Sequence, residues 1–140
     1  MWSAFERYLP IIGSKQEKCE ALFHSHDPQA LVNKVLALDK DNRLFTYIKE
    51  RVTNQTLARN LDLYGKGTLS NVSYLLSAIR HIFGHGHLTP VSNDADANTT
   101  VSLCDLLSDF HMKGMDDDFS KRVTNVMEET EATQEYYSAR

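Results

Sequence analysis

Apolar residues recur along most of this chain at spacings of three and four, the period of a helix with one face turned to a core. Strict alternation of apolar and polar residues is missing, as are Asn-Gly and Asp-Gly hairpin signals. Trp2 to Tyr8 reads as a short helix closed by Pro10 and Gly13. A second runs from about Ser14 to His24, with Cys19, Leu22 and Phe23 on its apolar side. Asp27-Pro28 is a start signal, because Asp can accept from free amide groups and proline suits the first helical position. The helix after it directs Leu31, Val32, Val35, Leu36 and Leu38 to the core. Asp41 opens the next, with Leu44, Phe45, Ile48 and Val52, and a bend near Thr53-Asn54 separates it from Leu57, Leu61 and Tyr64. Gly65 and Gly67 end that run.

The most regular segment follows a cap at Thr68 or Ser70. Val72, Leu75, Leu76, Ile79, Ile82 and Phe83 form its apolar face. Ser73, Ser77, Arg80 and Gly84 make a second stripe of small or polar residues beside one arginine. Such a stripe admits a neighbouring backbone, lines a cleft, or is a plain solvated face. From Gly84 to about Thr100 the composition is that of a loop. Val101, Leu103, Cys104, Leu107 and Phe110 then define a helix that Gly114 should end. Asp116-Asp117-Asp118 should open a last helix, acids suiting its N-terminal dipole, with Phe119, Val123, Val126, Met127 and Thr130 buried. Glu128, Glu129 and Glu131 read as a solvated face. The expected architecture is all-α: an up-and-down bundle of five to seven helices in a single domain over residues 1–140.

With 140 residues, 41% hydrophobic and 24% charged, the chain has ordinary globular composition and can bury a core without staples. No apolar run is long enough for a bilayer, and no basic flank followed by an apolar stretch marks a secretory leader. Cys19 and Cys104 read as reduced, buried thiols. A cytoplasmic protein with no membrane association is expected. The net charge of −4 conceals an asymmetry: residues 1–93 carry 11 Lys/Arg against 8 Asp/Glu, and residues 94–140 carry 4 against 11. A protein that wraps duplex DNA would be far more basic. A local basic site is still compatible with these numbers.

The chemistry-bearing segment is Ile79-Arg80-His81-Ile82-Phe83-Gly84-His85-Gly86-His87-Leu88-Thr89-Pro90. It holds three of the six histidines. One reading is a metal site using His81, His85 and His87, with His24 and His26 as further imidazoles. Gly84 and Gly86 would break the helix on which His81 and His85 share a face, and no Cys or acid completes the set. A second reading is structural: imidazoles bonding the last carbonyls of a helix, with glycine making the left-handed turn. A third is general acid/base chemistry on a phosphodiester. Imidazole exchanges a proton near neutral pH, and the arginine fork holds phosphate and offsets transition-state charge. On an unbroken helix Arg80 and His85 would stand about 140° apart; Gly84 allows the chain to turn His85 toward the same cleft.

Arg80, four residues, then His85, at the end of an amphipathic helix in a small all-α chain, resembles the HEPN motif. His81 stands where a polar residue commonly follows the motif arginine. The run Arg80 to Thr89 is particularly similar to the Apea-like branch of that family. The resemblance implies an α-helical bundle, usually a homodimer, whose two motifs face a shared cleft. Many such proteins are metal-independent ribonucleases needing no cofactor; others are noncatalytic RNA- or protein-binding modules. Carried over, Arg80 would bind and polarise phosphate, His85 would be the acid/base, and His81 would orient or assist. Ser73, Ser77 and His87 are the expected substrate contacts, and single-stranded RNA the expected substrate. Toxin members paired with a nucleotidyltransferase carry a tyrosine two residues after the motif histidine, where this chain has His87.

Overall fold

A computed structural model describes residues 2–68, 71–84 and 96–138, with the side chains of Glu17, Lys18 and Phe83 left out. These residues form six α-helices and one 3₁₀ helix, with no strand among them. The order is α1 (Trp2–Ile11), the 3₁₀ helix (Gln16–His26), α2 (Pro28–Leu38), α3 (Arg43–Arg51), α4 (Gln55–Gly65), α5 (Ser73–Gly84) and α6 (Ala97–Ser138). The expected all-α bundle is what the chain forms.

Helix α5 sits at the centre, packed against α1, the 3₁₀ helix, α3, α4 and α6. That position follows from its sequence. Tyr74, Leu75, Leu76, Ala78, Ile79 and Ile82 are all buried, so nearly the whole circumference is apolar or small. Helices α1 and α2 and the 3₁₀ helix lie on the first half of α6. The buried apolar side chains form one cluster, built around Phe5, Phe23, Leu61, Leu75, Ile82 and Leu107.

The helix boundaries show which local signals act. Asp27 caps α2 as expected: its Oδ1 accepts from the Ala30 amide at 2.9 Å, and Pro28 is the first helical residue. Asn54 caps α4 in the same way, accepting from the Leu57 amide at 3.0 Å. The start of α3 differs from expectation. Asp39, not Asp41, supplies the carboxylate, which accepts from the Leu44 and Phe45 amides at 3.2 and 2.8 Å. Asn42 takes a left-handed conformation (φ 52°) to turn the chain back over it. At α5 the Asn71 carboxamide caps, accepting from the Ser73 amide at 3.2 Å and donating to the Gln16 carbonyl at 2.8 Å. Of the expected caps, Thr68 does not serve α5 and Ser70 lies outside the described residues.

The second segment is an eleven-residue 3₁₀ helix rather than an α-helix. Such runs are uncommon at this length. Phe23 and Cys19 are both buried on it.

The largest departure is α6. Gly114 and the three aspartates were expected to divide two helices, yet α6 runs unbroken for 42 residues. Gly114 lies inside it and is there for space. A Cβ at this position would stand 2.6 Å from Phe23 Cε1 and 2.7 Å from Phe23 Cδ1. The aspartates are therefore mid-helix and diverge. Asp117 lies 3.1 Å from His26 Nε2, too poorly aligned for a hydrogen bond, while Asp118 accepts from the Tyr8 hydroxyl at 2.7 Å and from Arg122 Nε at 2.7 Å. The stripe expected to be buried is not. Met115 is the last buried residue, and Phe119, Val123, Val126 and Met127 are exposed.

Candidate functional site

Helix α5 presents little of itself to solvent. Ser73 is enclosed, Ser77 and His81 are half-buried, and Arg80 and Gly84 are exposed. These last four fall at intervals of three and four, so one narrow strip of an otherwise enclosed helix reaches the surface. Arg80 stands just before its last turn. One Nη of Arg80 lies 3.5 Å from Glu6 Oε2 on α1, and both side chains are about half exposed. The guanidinium therefore already holds a carboxylate across the α1–α5 junction. At that exposure the pair contributes about 0–1 kcal/mol and is readily exchanged for another anion.

The structure brings Ser77, Arg80 and His81 onto this strip. His85 and His87, the expected acid/base and one expected substrate contact, lie outside the described residues.

Ser73 goes the other way. It is 0% exposed, so it has no surface from which to meet a substrate. Its register places it against the 3₁₀ helix and α6, where it joins a buried polar cluster with Cys19 and His111. Ser73 Oγ is 3.1 Å from His111 Nε2 and 3.3 Å from Cys19 Sγ. His111 Nδ1 is 2.7 Å from the Leu107 carbonyl. A carbonyl can only accept, so Nδ1 carries the proton and Nε2 accepts from the Ser73 hydroxyl. The ring is packed by Phe5, Phe23 and Phe110. Burial depresses its pKa to about 4, partly opposed by the Leu107 bond, so the imidazole is neutral at physiological pH. Burial likewise pushes the Cys19 thiol up, against the pull of its Ser73 and Asn71 hydrogen bonds. Cys19 and Cys104 are both free thiols, Cys104 only half-buried. The cluster is a satisfied polar knot that ties α5, the 3₁₀ helix and α6 together.

The sequence also carries a signal for His111, which is absent from the expected site residues. Leu103, Leu107 and His111 are four apart, which puts the imidazole on the buried stripe. Among the described residues, no group of three His, Cys, Asp or Glu side chains is arranged to hold a metal ion, and no helix is long and apolar enough to cross a membrane. His24 and His26 sit at the end of the 3₁₀ helix, with His26 beside Asp117 on α6. In comparisons with known proteins, no family model, no curated protein and no solved structure matches the chain.

Proposed function

We propose that this chain is a HEPN-like, metal-independent ribonuclease acting in the cytoplasm as a homodimer on single-stranded RNA. The supporting observation is Arg80: an exposed guanidinium just before the last turn of a buried helix, five residues before His85 in the chain. In this reading Arg80 displaces its carboxylate partner Glu6 to grip a phosphate and offset charge as it builds. His85 takes the proton of the ribose 2′-OH. The 2′-oxygen attacks phosphorus, an acid protonates the departing 5′-oxygen, and a 2′,3′-cyclic phosphate is left. His81 orients the motif; Ser77 and His87 contact the nucleotide. Ser73 has no part in substrate binding because it is enclosed.

A panel of single-stranded RNAs incubated with the purified chain in EDTA tests this. Cleavage should persist in EDTA and yield cyclic phosphate ends. General acid/base help is worth about 10²–10⁴-fold, so His85→Ala should lower cleavage by at least tens of fold with the fold intact. Arg80→Ala should do the same. Unchanged cleavage in His85→Ala removes that residue from the mechanism, and loss of activity in EDTA points to metal chemistry instead.

The Glu6 contact favours a second reading, a noncatalytic HEPN-like module that binds RNA or protein, because a guanidinium that accepts one carboxylate can accept another from a partner. No RNA products, together with stable association that Arg80→Ala abolishes, would decide for it.

A further inference from the structure

Beyond Met115 helix α6 leaves the bundle. Every described residue from Phe119 to Ser138 is exposed, a projection of roughly 30 Å at 1.5 Å per residue. A helix of this length is marginal in water without a packed face, and this one carries an apolar stripe. Phe119 (58% exposed), Val123 (41%), Val126 (62%) and Tyr137 (72%) repeat at intervals of four, three and eleven. That is the a/d pattern of a coiled coil, with Thr130 and Thr133 filling the remaining a and d positions. Exposed Met112 extends the stripe by one heptad toward the bundle, with the exposed Asp116 at the a position between it and Phe119. On a regular helix the centre of this stripe lies about 90° round the axis from the centre of the face that His111, Gly114 and Met115 turn to the bundle, with Met115 on the edge nearest Phe119. The bundle therefore leaves it open.

We propose that this stripe packs antiparallel against the same stripe of a second copy of the chain. Charge decides both the occupant and the direction. Lys121 and Arg122 begin the projecting segment, while Glu128, Glu129, Glu131 and Glu135 end it. A parallel pair would stack acid on acid. An antiparallel pair lays Lys121 and Arg122 of each helix beside Glu128 and Glu129 of the other, which outweighs the meeting of Glu131 with Asp118. With Val123 opposite the second copy's Val126, Phe119 meets the second copy's Thr130, and Met112 meets its Tyr137. Arg122 and Glu129 flank the stripe one heptad apart and face each other across the seam, twice by symmetry. Arg122 is already anchored there by its Nε bond to Asp118 at 2.7 Å. This association uses a different helix from the cleft motif of α5 and is independent of the ribonuclease reading.

Sedimentation equilibrium of the 140-residue chain tests it. A dimer is expected. Val126→Glu puts two carboxylates into the seam and should weaken association by at least roughly tenfold, with helicity and thermal unfolding of the monomer unchanged because Val126 touches nothing buried. Glu129→Lys should weaken it in a salt-dependent way. Direction is read by cross-linking: a mixture of Phe119→Cys and Thr130→Cys chains should form mixed disulfides, whereas Thr130→Cys alone should not. A monomer at all concentrations overturns the proposal, whether or not the stripe then binds another protein. A dimer indifferent to Val126→Glu overturns it too, placing the contact elsewhere, as at the α5 cleft. Self-cross-linking of Thr130→Cys overturns the antiparallel arrangement.

Discussion

Lowering the pH from 7 toward 4 should destabilise the chain chiefly through His111. The imidazole is enclosed by Phe5, Phe23 and Phe110, with Nδ1–H bonded to the Leu107 carbonyl and Nε2 taking the Ser73 proton. A second proton on the ring would bury a positive charge in this aromatic shell and force the Ser73 hydroxyl to turn its own proton away and accept instead. The folded pKa is accordingly about 4, against 6.5 for an unhindered histidine. Above pH 6.5 neither state binds the extra proton and full stability is present. Between 6.5 and 4 the unfolded chain takes it up and the folded chain does not, so stability falls with pH over this window. Two and a half pH units correspond to about 3 kcal/mol, a sizeable share of the roughly 5–15 kcal/mol that holds a domain of this kind.

The assay is urea unfolding followed by circular dichroism at pH 7 and pH 4.5, for the parent chain and for His111→Gln. Glutamine keeps a donor and an acceptor but does not titrate. It should cost about 1–3 kcal/mol at pH 7 through altered packing. Between pH 7 and 4.5 it should lose about 2–3 kcal/mol less than the parent does. The other five histidines are present in both chains and cancel from the difference. Identical pH dependence in the two proteins, or a His111 ring that titrates near 6.5 by NMR, would refute the placement of this side chain in a neutral core.

Gly114→Ala should destabilise by about 1–2 kcal/mol in chemical unfolding, because overpacking outweighs the gain of roughly 1 kcal/mol in helix propensity. The ring it meets, Phe23, is itself wedged against Phe5, Phe110 and His111; in a Phe23→Leu background the same change should become neutral or stabilising. Tyr8→Phe removes a hydroxyl bonded to the Asp118 carboxylate at 2.7 Å and should cost about 1–2 kcal/mol. Burial and the Asp118 carboxylate raise the Tyr8 phenol to about 12. The unfolded phenol ionises near 10, so its contribution is present below pH 10 and is lost as pH climbs to 12. Tyr8→Phe should blunt that alkaline loss in an unfolding titration.

Local chemistry is legible at the starts of α2 and α4, but not at those of α3 and α5, where Asp39 and Asn71 cap in place of the expected Asp41 and of Thr68 or Ser70. Asp27-Pro28 caps and opens α2 because the carboxylate and the missing N–H act within a single turn. The bend at Thr53-Asn54 separates α3 from α4 because the Asn54 carboxamide accepts from the Leu57 amide and opens α4. Gly114 was misread because a glycine inside a helix and one that ends it look alike in sequence. What distinguishes them is Phe23, ninety-one positions earlier, whose ring needs the space. The aspartate triplet points in the same direction: Asp117 lies beside His26 and Asp118 is held by Tyr8 and Arg122, partners that helix-start chemistry does not reveal. At the candidate site, Arg80 and Ser77 emerge on the expected strip. Ser73, one turn earlier on the same stripe, is enclosed, since α5 enters the bundle under the 3₁₀ helix and α6.

The stripe on α6 shows the limit of pattern reading most directly. Apolar spacing at three and four establishes that one helix face is to be covered; it carries no information on which chain does the covering. Phe119, Val123 and Val126 have the spacing that Leu103 and Leu107 have, and the latter pair is buried in the chain's own core. The difference arises from reach. Helices α1 and α2 and the 3₁₀ helix pack along the first part of α6, and their last anchors on it are the contacts at Asp117, at Asp118 and at Arg122 beside Tyr8. Past that point the described bundle offers nothing to cover the stripe. The coiled-coil period and the Arg122/Glu129 spacing become informative only once the lack of an internal partner is seen. They then specify a partner of equal length and reversed charge order, a condition that a second copy running the opposite way fulfils.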